Sequence, residues 1–226
     1  MCMTTGRNIN TLDYWDRRFG TGDWEAKGGF SQTRAFAESQ ILHLGLPNDF
    51  SGTLCDFGCG AGDAFPVYRA AFPNAKLVGV DFSGEAIRLC REKYSSIAEF
   101  IEGDYTTVPS CNIVIVSNVL EHLDDDKLVV KNLIERCHRL FVVVPFMEKI
   151  LCREHIRSYD EHSFSQFSVV RIEVFPSRGW SEFGIQRFVG IPVKNILRFI
   201  LGRPLRHRLL QIMFEIVNNP PNVIPV

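Results

Sequence analysis

The sequence predicts an α/β fold in which a mainly parallel sheet is covered by helices on both faces. Between positions 53 and 145, short β-rich runs alternate with helix-patterned segments, which implies parallel strands joined by right-handed crossovers. Two of the runs, 113–116 and 141–144, are almost continuously apolar, as expected of strands that are buried on both faces. The length of 226 residues fits a single domain.

The elements of the predicted core follow in order along the chain. Strands are predicted at 53–57, 76–81, 97–102, 112–117 and 140–144, and helices at 63–72, 84–94 and 125–138. After position 145 the pattern predicts a short helix at 160–167 and a terminal hairpin from strands at 169–175 and 183–189. Two apolar helices are predicted at 193–201 and 205–217, because Gly202, Arg203 and Pro204 interrupt the helical period.

Composition and charge exclude several classes of protein. The chain is 46% hydrophobic and 23% charged, close to the average of soluble globular proteins, and its net charge of −1 provides no basic field for nucleic acid. No run of apolar residues has the length of a signal peptide at the start or of a membrane span anywhere. The seven cysteines form no C-x-x-C pair, so we expect reduced thiols and a cytoplasmic protein.

The strongest motif is a glycine-rich turn that follows the first predicted strand. It reads Asp56-Phe57-Gly58-Cys59-Gly60-Ala61-Gly62-Asp63, so its glycines are spaced G-x-G-x-G rather than G-x-G-x-x-G as in dinucleotide-binding proteins. Glycines allow a sharp turn and the close approach of a ligand to the backbone. The carboxylates of Asp56 and Asp63 would repel a pyrophosphate and attract a ligand that carries an ammonium or a sulfonium group.

Two more acids end strands at the same edge of the predicted sheet. Asp81 ends the second strand, where a carboxylate can accept hydrogen bonds from both hydroxyls of a ribose. Asp104 follows the third strand and is placed to accept a hydrogen bond from the amine of an adenine, which Phe82 and Tyr105 could flank. Three acids at successive strand ends favour a nucleoside-containing ligand over three unrelated turns.

With these residues the chain resembles the class I S-adenosylmethionine-dependent methyltransferases, chiefly over residues 53–145. The resemblance implies a Rossmann-like, seven-stranded, mainly parallel sheet whose last strand is antiparallel. It also implies that the cofactor S-adenosylmethionine is bound by the residues that match the family's pattern, with S-adenosylhomocysteine as the product. These residues are Asp56, Gly58, Gly60, Gly62, Asp81, Phe82, Asp104, Tyr105 and Asn118.

The resemblance also suggests how the rest of the chain is used. In the segment after the fourth strand, Glu121 and His122 would border the acceptor cavity, and Tyr14 to Phe19 resemble a lead-in that folds over the cofactor. We therefore expect one domain, with a helical cover at 1–50, a cofactor-binding core at 51–145 and a substrate-side segment at 146–226. Asp124, Asp125 and Asp126 fit a solvated helix start better than a metal site.

The predicted reaction is the transfer of a methyl group to an oxygen or nitrogen of a small-molecule acceptor. His122 is the candidate general base, and His155, Tyr159 and His162 are weaker candidates for contacts with the acceptor. No metal is expected. The alternatives are an RNA or protein methyltransferase, a nicotinamide-dependent oxidoreductase, and a module that binds the cofactor without catalysis.

The carboxy-terminal part of the chain is where partners other than the acceptor would bind. Arginines and lysines accompany the apolar residues between 187 and 217, as in helices that lie on a membrane. Packing on the domain itself or in a homodimer is favoured over such peripheral membrane contact, and no nucleic acid is expected.

Overall fold

A seven-stranded sheet with the strand order β3-β2-β1-β4-β5-β7-β6 forms the centre of the protein. The structure, a computed structural model, describes residues 8–176, 196, 199–201 and 210–218. The strands are β1 (Thr53–Phe57), β2 (Lys76–Asp81), β3 (Glu99–Glu102), β4 (Cys111–Ser117), β5 (Cys137–Pro145), β6 (Val169–Pro176) and β7 (Leu210–Val217). The helices are α1 (Leu12–Gly20), α2 (Asp23–Ala26), α3 (Gly29–Gln40), α4 (Phe65–Ala71), α5 (Gly84–Tyr94) and α6 (Asp126–Ile134), with a 3₁₀ turn at Leu120–His122.

The directions of the strands confirm the predicted fold class. Strands β1 to β5 pair in parallel, while β7 runs antiparallel to both of its neighbours, β5 and β6. The sheet is therefore mainly parallel, with a last strand of opposite direction. The strands that follow β1 in the chain first extend the sheet to one side, as β2 and β3, and then to the other side, beginning with β4. Ligands of open α/β sheets bind at the carboxyl ends of the strands beside such a switch point.

Both faces of the sheet are buried, which explains the continuous apolar runs. In β4, Val114 and Val116 belong to the hydrophobic cluster on one face, while Ile113 and Ile115 belong to the cluster on the other. All four side chains are at most 2% exposed. Strands that are covered on two sides need no alternation of polar residues, and the sequence shows none there.

Most predicted elements of the core lie where the sequence placed them, and the deviations are short. Strands β1 and β2 and helix α5 match the predicted ranges, whereas α6 ends at Ile134 because β5 already begins at Cys137. The helix predicted at 160–167 is wrong, since these residues form successive turns. Within the described part of the chain, no helix is long and apolar enough to cross a membrane.

The carboxy-terminal part departs most from the prediction. The apolar helix predicted at 205–217 is wrong, because Leu210–Val217 forms strand β7 between β5 and β6. Strand β6 therefore has β7 as its antiparallel partner, and the strand predicted at 183–189 lies outside the described residues. Of the helix predicted at 193–201, Ile196, Phe199 and Ile200 are described and are helical.

Candidate functional site

The glycine turn connects β1 to α4 at the carboxyl edge of the sheet. Gly58, Gly60 and Gly62 all have left-handed backbones, with φ of +75°, +53° and +78°. A Cβ atom at Gly58 would lie 2.3 Å from a methyl carbon of Val119, which is closer than any real contact. Glycine is therefore required here both by the conformation and by the packing of the turn against the segment after β4.

Asp81 holds this turn in place from the end of β2. Its Oδ2 atom accepts a hydrogen bond from the backbone N–H of Gly60 at 2.8 Å, and its Oδ1 accepts one from Ser83 N–H at 2.9 Å. The N–H of Gly58 donates to the carbonyl of Val80 at 2.7 Å. A carboxylate can accept about four hydrogen bonds, so Asp81 can anchor the turn and still accept from a ligand.

Buried carboxyl groups surround the turn. Asp56, Asp63 and Asp81 are 5%, 1% and 6% exposed. Burial, together with the charge of Asp81, raises the pKa of Asp56 to about 8, and burial raises the pKa of Asp81 to about 6. Among the residues that the structure describes, no lysine, arginine or histidine forms an ion pair with Asp56 or Asp81. A ligand with positive charge would stabilise the ionised forms of these acids.

Asp63, the acid that follows the last glycine, has an incomplete set of partners. The hydroxyl of Tyr94 donates to its Oδ1 atom at 2.9 Å, and Lys93 Nζ lies 3.8 Å away. Its other oxygen, Oδ2, is buried and has no hydrogen-bond partner among the described residues. A buried carboxylate oxygen without a donor is costly, and an ammonium group of a ligand would satisfy it.

The acid after β3 sits in a more open environment. Asp104 is exposed, and its Oδ1 atom accepts hydrogen bonds from the hydroxyl and the N–H of Thr106, which lower the pKa of the carboxyl. Phe82 is 39% exposed, and Tyr105 is half-buried. These three side chains therefore remain accessible at the edge where the sequence predicts an adenine.

Helix α1 lies across the same edge of the sheet. The ring of Phe19 approaches within 3.4 Å of the position that a Cβ on Gly60 would take. Asp16 caps α5 through its Oδ1 atom, which accepts hydrogen bonds from the Ser83 hydroxyl at 2.5 Å and from Glu85 N–H at 3.3 Å. The ring of Trp15 meets that of His122 edge to face, with centroids 5.4 Å apart. Helix α1 thus touches both the glycine turn and the segment after β4.

Buried Arg18 fastens the same helix to the segment after β5. Its guanidinium forms ion pairs with Glu154 and, at 3.3 Å, with Asp23. It also lies over the rings of Trp15 and Trp24, at 5.5 and 5.4 Å from their centroids. Carboxylates and aromatic faces together stabilise the charge of Arg18, and these contacts anchor α1 to the segment after β5.

A buried polar chain at the end of β4 includes two glutamines that the sequence analysis missed. Asn118 has a left-handed backbone with φ of +54°, and its Oδ1 atom accepts a hydrogen bond from Gln211 at 2.9 Å. Gln40 donates to the hydroxyl of Ser117 at 2.6 Å. Gln211 lies on β7, which the sequence predicted as a helix, so no sequence pattern placed it at this edge.

His122 and His155 come together beside a buried carboxylate. Their ring centroids are 5.1 Å apart, and Glu121 Oε1 lies 4.0 Å from His155 Nε2. Burial lowers the pKa of His122 to about 4 and raises that of Glu121 to about 7. Burial opposes the charge of His155, but hydrogen bonds to Cys152 and Glu148 and the charge of Glu121 raise its pKa to about 10.

The other residues proposed for the acceptor side lie elsewhere. Tyr159 is buried and donates its hydroxyl to Asp126 at 3.0 Å, whereas His162 is exposed. Asp126 is itself buried and pairs with Arg157, so the expectation of a solvated helix start is wrong for this acid. The structure thus brings together His122 and His155 but leaves Tyr159 and His162 outside their cluster.

This fold and the ordered acids at its carboxyl edge define a class I methyltransferase architecture. Residues 54–142 match the family model described as a methyltransferase domain. This match spans β1 to the middle of β5 and confirms the predicted resemblance to the S-adenosylmethionine-dependent class I methyltransferases.

Individual known proteins resemble the chain more distantly. The trans-aconitate 2-methyltransferase of Azoarcus sp. (strain BH72) is 25% identical over 137 residues, which are 59% of this chain and 50% of that protein. The chain thus spans about half the length of the curated relatives it matches.

Solved structures share the fold. A complex of the Haloferax volcanii Trm112 methyltransferase activator with a methyltransferase contains a chain that matches with a TM-score of 0.66 at 12% identity, covering 95% of this chain and 100% of that one. The plantazolicin methyltransferase BpumL, solved with S-adenosylhomocysteine, matches with a TM-score of 0.57 at 14% identity, covering 92% and 95%.

Proposed function

We propose that this protein transfers a methyl group from S-adenosylmethionine to an oxygen or nitrogen of a small-molecule acceptor. The observation that carries the proposal is the set of buried acids around the glycine turn, which bring negative charge close together when they ionise. Asp56 and Asp81 have no cationic partner among the described residues, and one oxygen of Asp63 has no donor. A cofactor that carries an ammonium and a sulfonium offsets this charge, whereas the pyrophosphate of a nicotinamide cofactor would add to the repulsion.

The residues of the carboxyl edge fit the parts of this cofactor. The remaining lone pairs of Asp81 would accept hydrogen bonds from the ribose hydroxyls, and the glycine turn would lie against the methionine part. The exposed Asp104 would accept from the adenine amine, with Phe82 and Tyr105 beside the ring. When bound, the cofactor supplies a methyl group that its positively charged sulfur has already activated.

The protein's own contribution is then chiefly orientation and the exclusion of water. Helix α1 contacts both the glycine turn and His122, so it is placed to cover the cofactor and the acceptor together. We assign residues 1–50 to this cover, 51–145 to the cofactor-binding core and 146–226 to the acceptor side. The role of His122 as a general base stays a prediction, and its lowered pKa makes it a weak base.

A small acceptor is favoured over a macromolecule. The net charge of −1 offers no field that would gather RNA, and the two curated relatives are named for trans-aconitate. An RNA or a protein acceptor is the competing outcome, which methyl transfer from labelled cofactor to size-fractionated cell extract would reveal.

The cofactor assignment is tested by titration calorimetry on the full chain. We expect binding of S-adenosylmethionine and S-adenosylhomocysteine and no binding of NAD. Asp81→Asn should weaken cofactor binding about 10- to 100-fold, because hydrogen bonds to a charged group contribute about 1.5–3 kcal/mol each. Glu102→Gln is the matched control, since Glu102 is exposed and is the register partner of Asp81 on β3. Tight NAD binding, or equal affinities in all three proteins, would refute the assignment.

A further inference from the structure

Three potential metal ligands meet at the end of β4. Glu121, His122 and His155 each offer one donor atom, and these three atoms lie within 4.8 Å of one another. Glu121 and His122 belong to the 3₁₀ turn after β4, while His155 comes from the segment after β5. The sequence alone predicts no metal, because nothing in it places His155 beside the other two.

Glu121 is a buried carboxylate that the protein leaves without hydrogen bonds. Its side chain is 1% exposed, and neither Oε1 nor Oε2 has a partner among the described residues. Removing a carboxylate from water without compensation is expensive, so such groups are paired or coordinate a metal. The nearest cation, His155, stands 4.0 Å from Oε1, which is too far for a hydrogen bond. An ion pair with His155 therefore does not satisfy Glu121.

The partners of the two histidines fix which nitrogen is free. The carbonyl oxygen of Glu154 lies 3.0 Å from His122 Nδ1, and a carbonyl can only accept, so Nδ1 carries the proton. The carboxylate of Glu148 lies 2.5 Å from His155 Nδ1 and holds a proton there in the same way. In the neutral form of each ring the lone pair is left to Nε2, so an ion bound by His155 would displace the proton that its raised pKa otherwise keeps there. Histidine ligands of metals are oriented by this kind of outer hydrogen bond to a carbonyl or a carboxylate.

We infer that Glu121, His122 and His155 form a site for a divalent transition-metal ion of the zinc class. Two imidazole nitrogens and one carboxylate are a ligand set that leaves a fourth position open, whereas Mg²⁺ and Ca²⁺ prefer oxygen ligands alone. Donors on one such ion are roughly 3.3 Å apart. The distance of 4.0 Å between Glu121 and His155 would have to shorten to about this value when the ion binds.

The fourth position would take a water molecule or an oxygen of the acceptor. The second of these depends on the proposed methyl transfer, since only then does the end of β4 face an acceptor. The binding of the ion itself does not depend on it. A metal ion at this position would polarise the oxygen that it holds.

A second set of possible metal ligands also contains His155, and the two sets have to be distinguished. Glu148, Cys152 and His155 also have donor atoms within 4.8 Å of one another, but Cys152 is exposed. In that set the Nδ1 atom of His155 would be the ligand, and Glu121 would remain without a partner. The buried set is therefore the better site, and a substitution of Cys152 distinguishes the two.

The experiment measures metal content and needs neither cofactor nor acceptor. Tag-free full-length protein is stripped with a chelator and dialysed against Zn²⁺, and bound metal is determined by mass spectrometry. Parallel samples receive Co²⁺, whose visible absorption reports the coordination. We expect one equivalent in the wild type, Cys152→Ser and His162→Ala, and none in Glu121→Gln. Glu148→Gln, which removes the charge of the outer hydrogen-bond acceptor, should weaken binding about 10- to 100-fold.

Folding of the key variant is checked in the same preparations. Glu121→Gln removes a buried charge, so the metal-free variant should melt no lower than the metal-free wild type. A wild type that binds no Zn²⁺ at micromolar concentration would overturn the inference. The same holds if Glu121→Gln retains a full equivalent, or if Cys152→Ser loses it. Because cofactor binding is measured separately, a failure here leaves the proposed methyl transfer standing.

Discussion

At the scale of single residues, the carboxyl edge of the sheet holds acids in environments that disfavour their charge. Asp56 lies at the end of β1, is almost fully buried and feels the charge of Asp81 on the neighbouring strand. The raised pKa of this acid means that the folded, cofactor-free protein retains a proton that the unfolded chain releases. This difference links folding stability to pH.

The sign of this linkage gives a testable pH dependence. Since the pKa of Asp56 is about 8 in the folded state against an ordinary value of 3.8, this acid makes stability fall as pH rises toward 8, by about 1.4 kcal/mol per pH unit. Asp56→Asn should therefore reduce the drop in melting temperature between pH 6 and pH 8, measured without cofactor. Glu135→Gln, at an exposed acid, is the control and should leave the drop unchanged. An identical drop in all three proteins would contradict the pKa.

The sequence pattern predicts the residues proposed to bind the cofactor, but only some of those that the structure brings together at the end of β4. Asp56, Asp81 and the glycines lie in or directly after predicted strands, so their spacing in the sequence is enough to predict a ligand site there. His155 and Gln211 reach the site from distant segments, so their position depends on tertiary structure. The anchoring role of Arg18 was equally hidden, because its partner Glu154 is remote in sequence.

At the scale of elements, helix α1 is anchored beside the glycine turn by a small number of buried ionic and aromatic contacts. Arg18 is buried among Glu154, Asp23 and two tryptophan rings, while the neighbouring Arg17 is more exposed. An element that covers a ligand must open for exchange, and it is drawn from the less stable parts of a fold. If α1 covers the cofactor as proposed, we expect its anchoring to control how often the site opens.

Arg18→Ala should loosen α1 without unfolding the sheet. The substitution leaves Glu154 without its charged partner and removes the packing against the tryptophans. We expect faster hydrogen exchange of the amides in α1, by about tenfold or more, since a buried charged contact contributes about 1.5–3 kcal/mol. The amides of β4 should not change, and Arg17→Ala provides the comparison at a less buried site. Equal exchange in the two variants would show that Arg18 is not the anchor.

The elements also show where sequence patterns stop being informative. The run Leu210–Val217 is almost continuously apolar because β7 is covered on both faces, and such a run cannot be told from a buried helix by its period. Strands β1 and β2 were predicted accurately because a glycine turn or a terminal acid marks where each one ends.

At the scale of the whole molecule, strand β7 joins the edge of the sheet to its centre. It pairs with β5 over seven residue pairs from Arg139–Val217 to Pro145–Gln211, and with β6 on its other side. Ile212, Met213, Phe214 and Ile216 are 0% exposed. The loss of this strand would expose both neighbours and a large part of the core.

Deletion of residues 210–226 should therefore give a chain that does not fold. Burial of each large apolar side chain contributes about 1.5–3 kcal/mol, so the loss of four, about 6–12 kcal/mol, is comparable to a typical stability of about 5–15 kcal/mol. We expect insoluble protein, or a soluble fraction without a cooperative melting transition. Deletion of 219–226 leaves β7 whole and should preserve cooperative melting. A cooperatively folded 1–209 chain would show that β7 is dispensable.

The position of β7 between β5 and β6 also affects folding during synthesis. Translation delivers β6 before β7, yet β7 is the strand that links β6 to the rest of the sheet. While the ribosome is still adding residues beyond β6, the open flank of β5 has its apolar surface bare. We therefore expect this incomplete chain to depend on a chaperone that binds extended apolar segments. Only the synthesis of 210–217 ends that dependence.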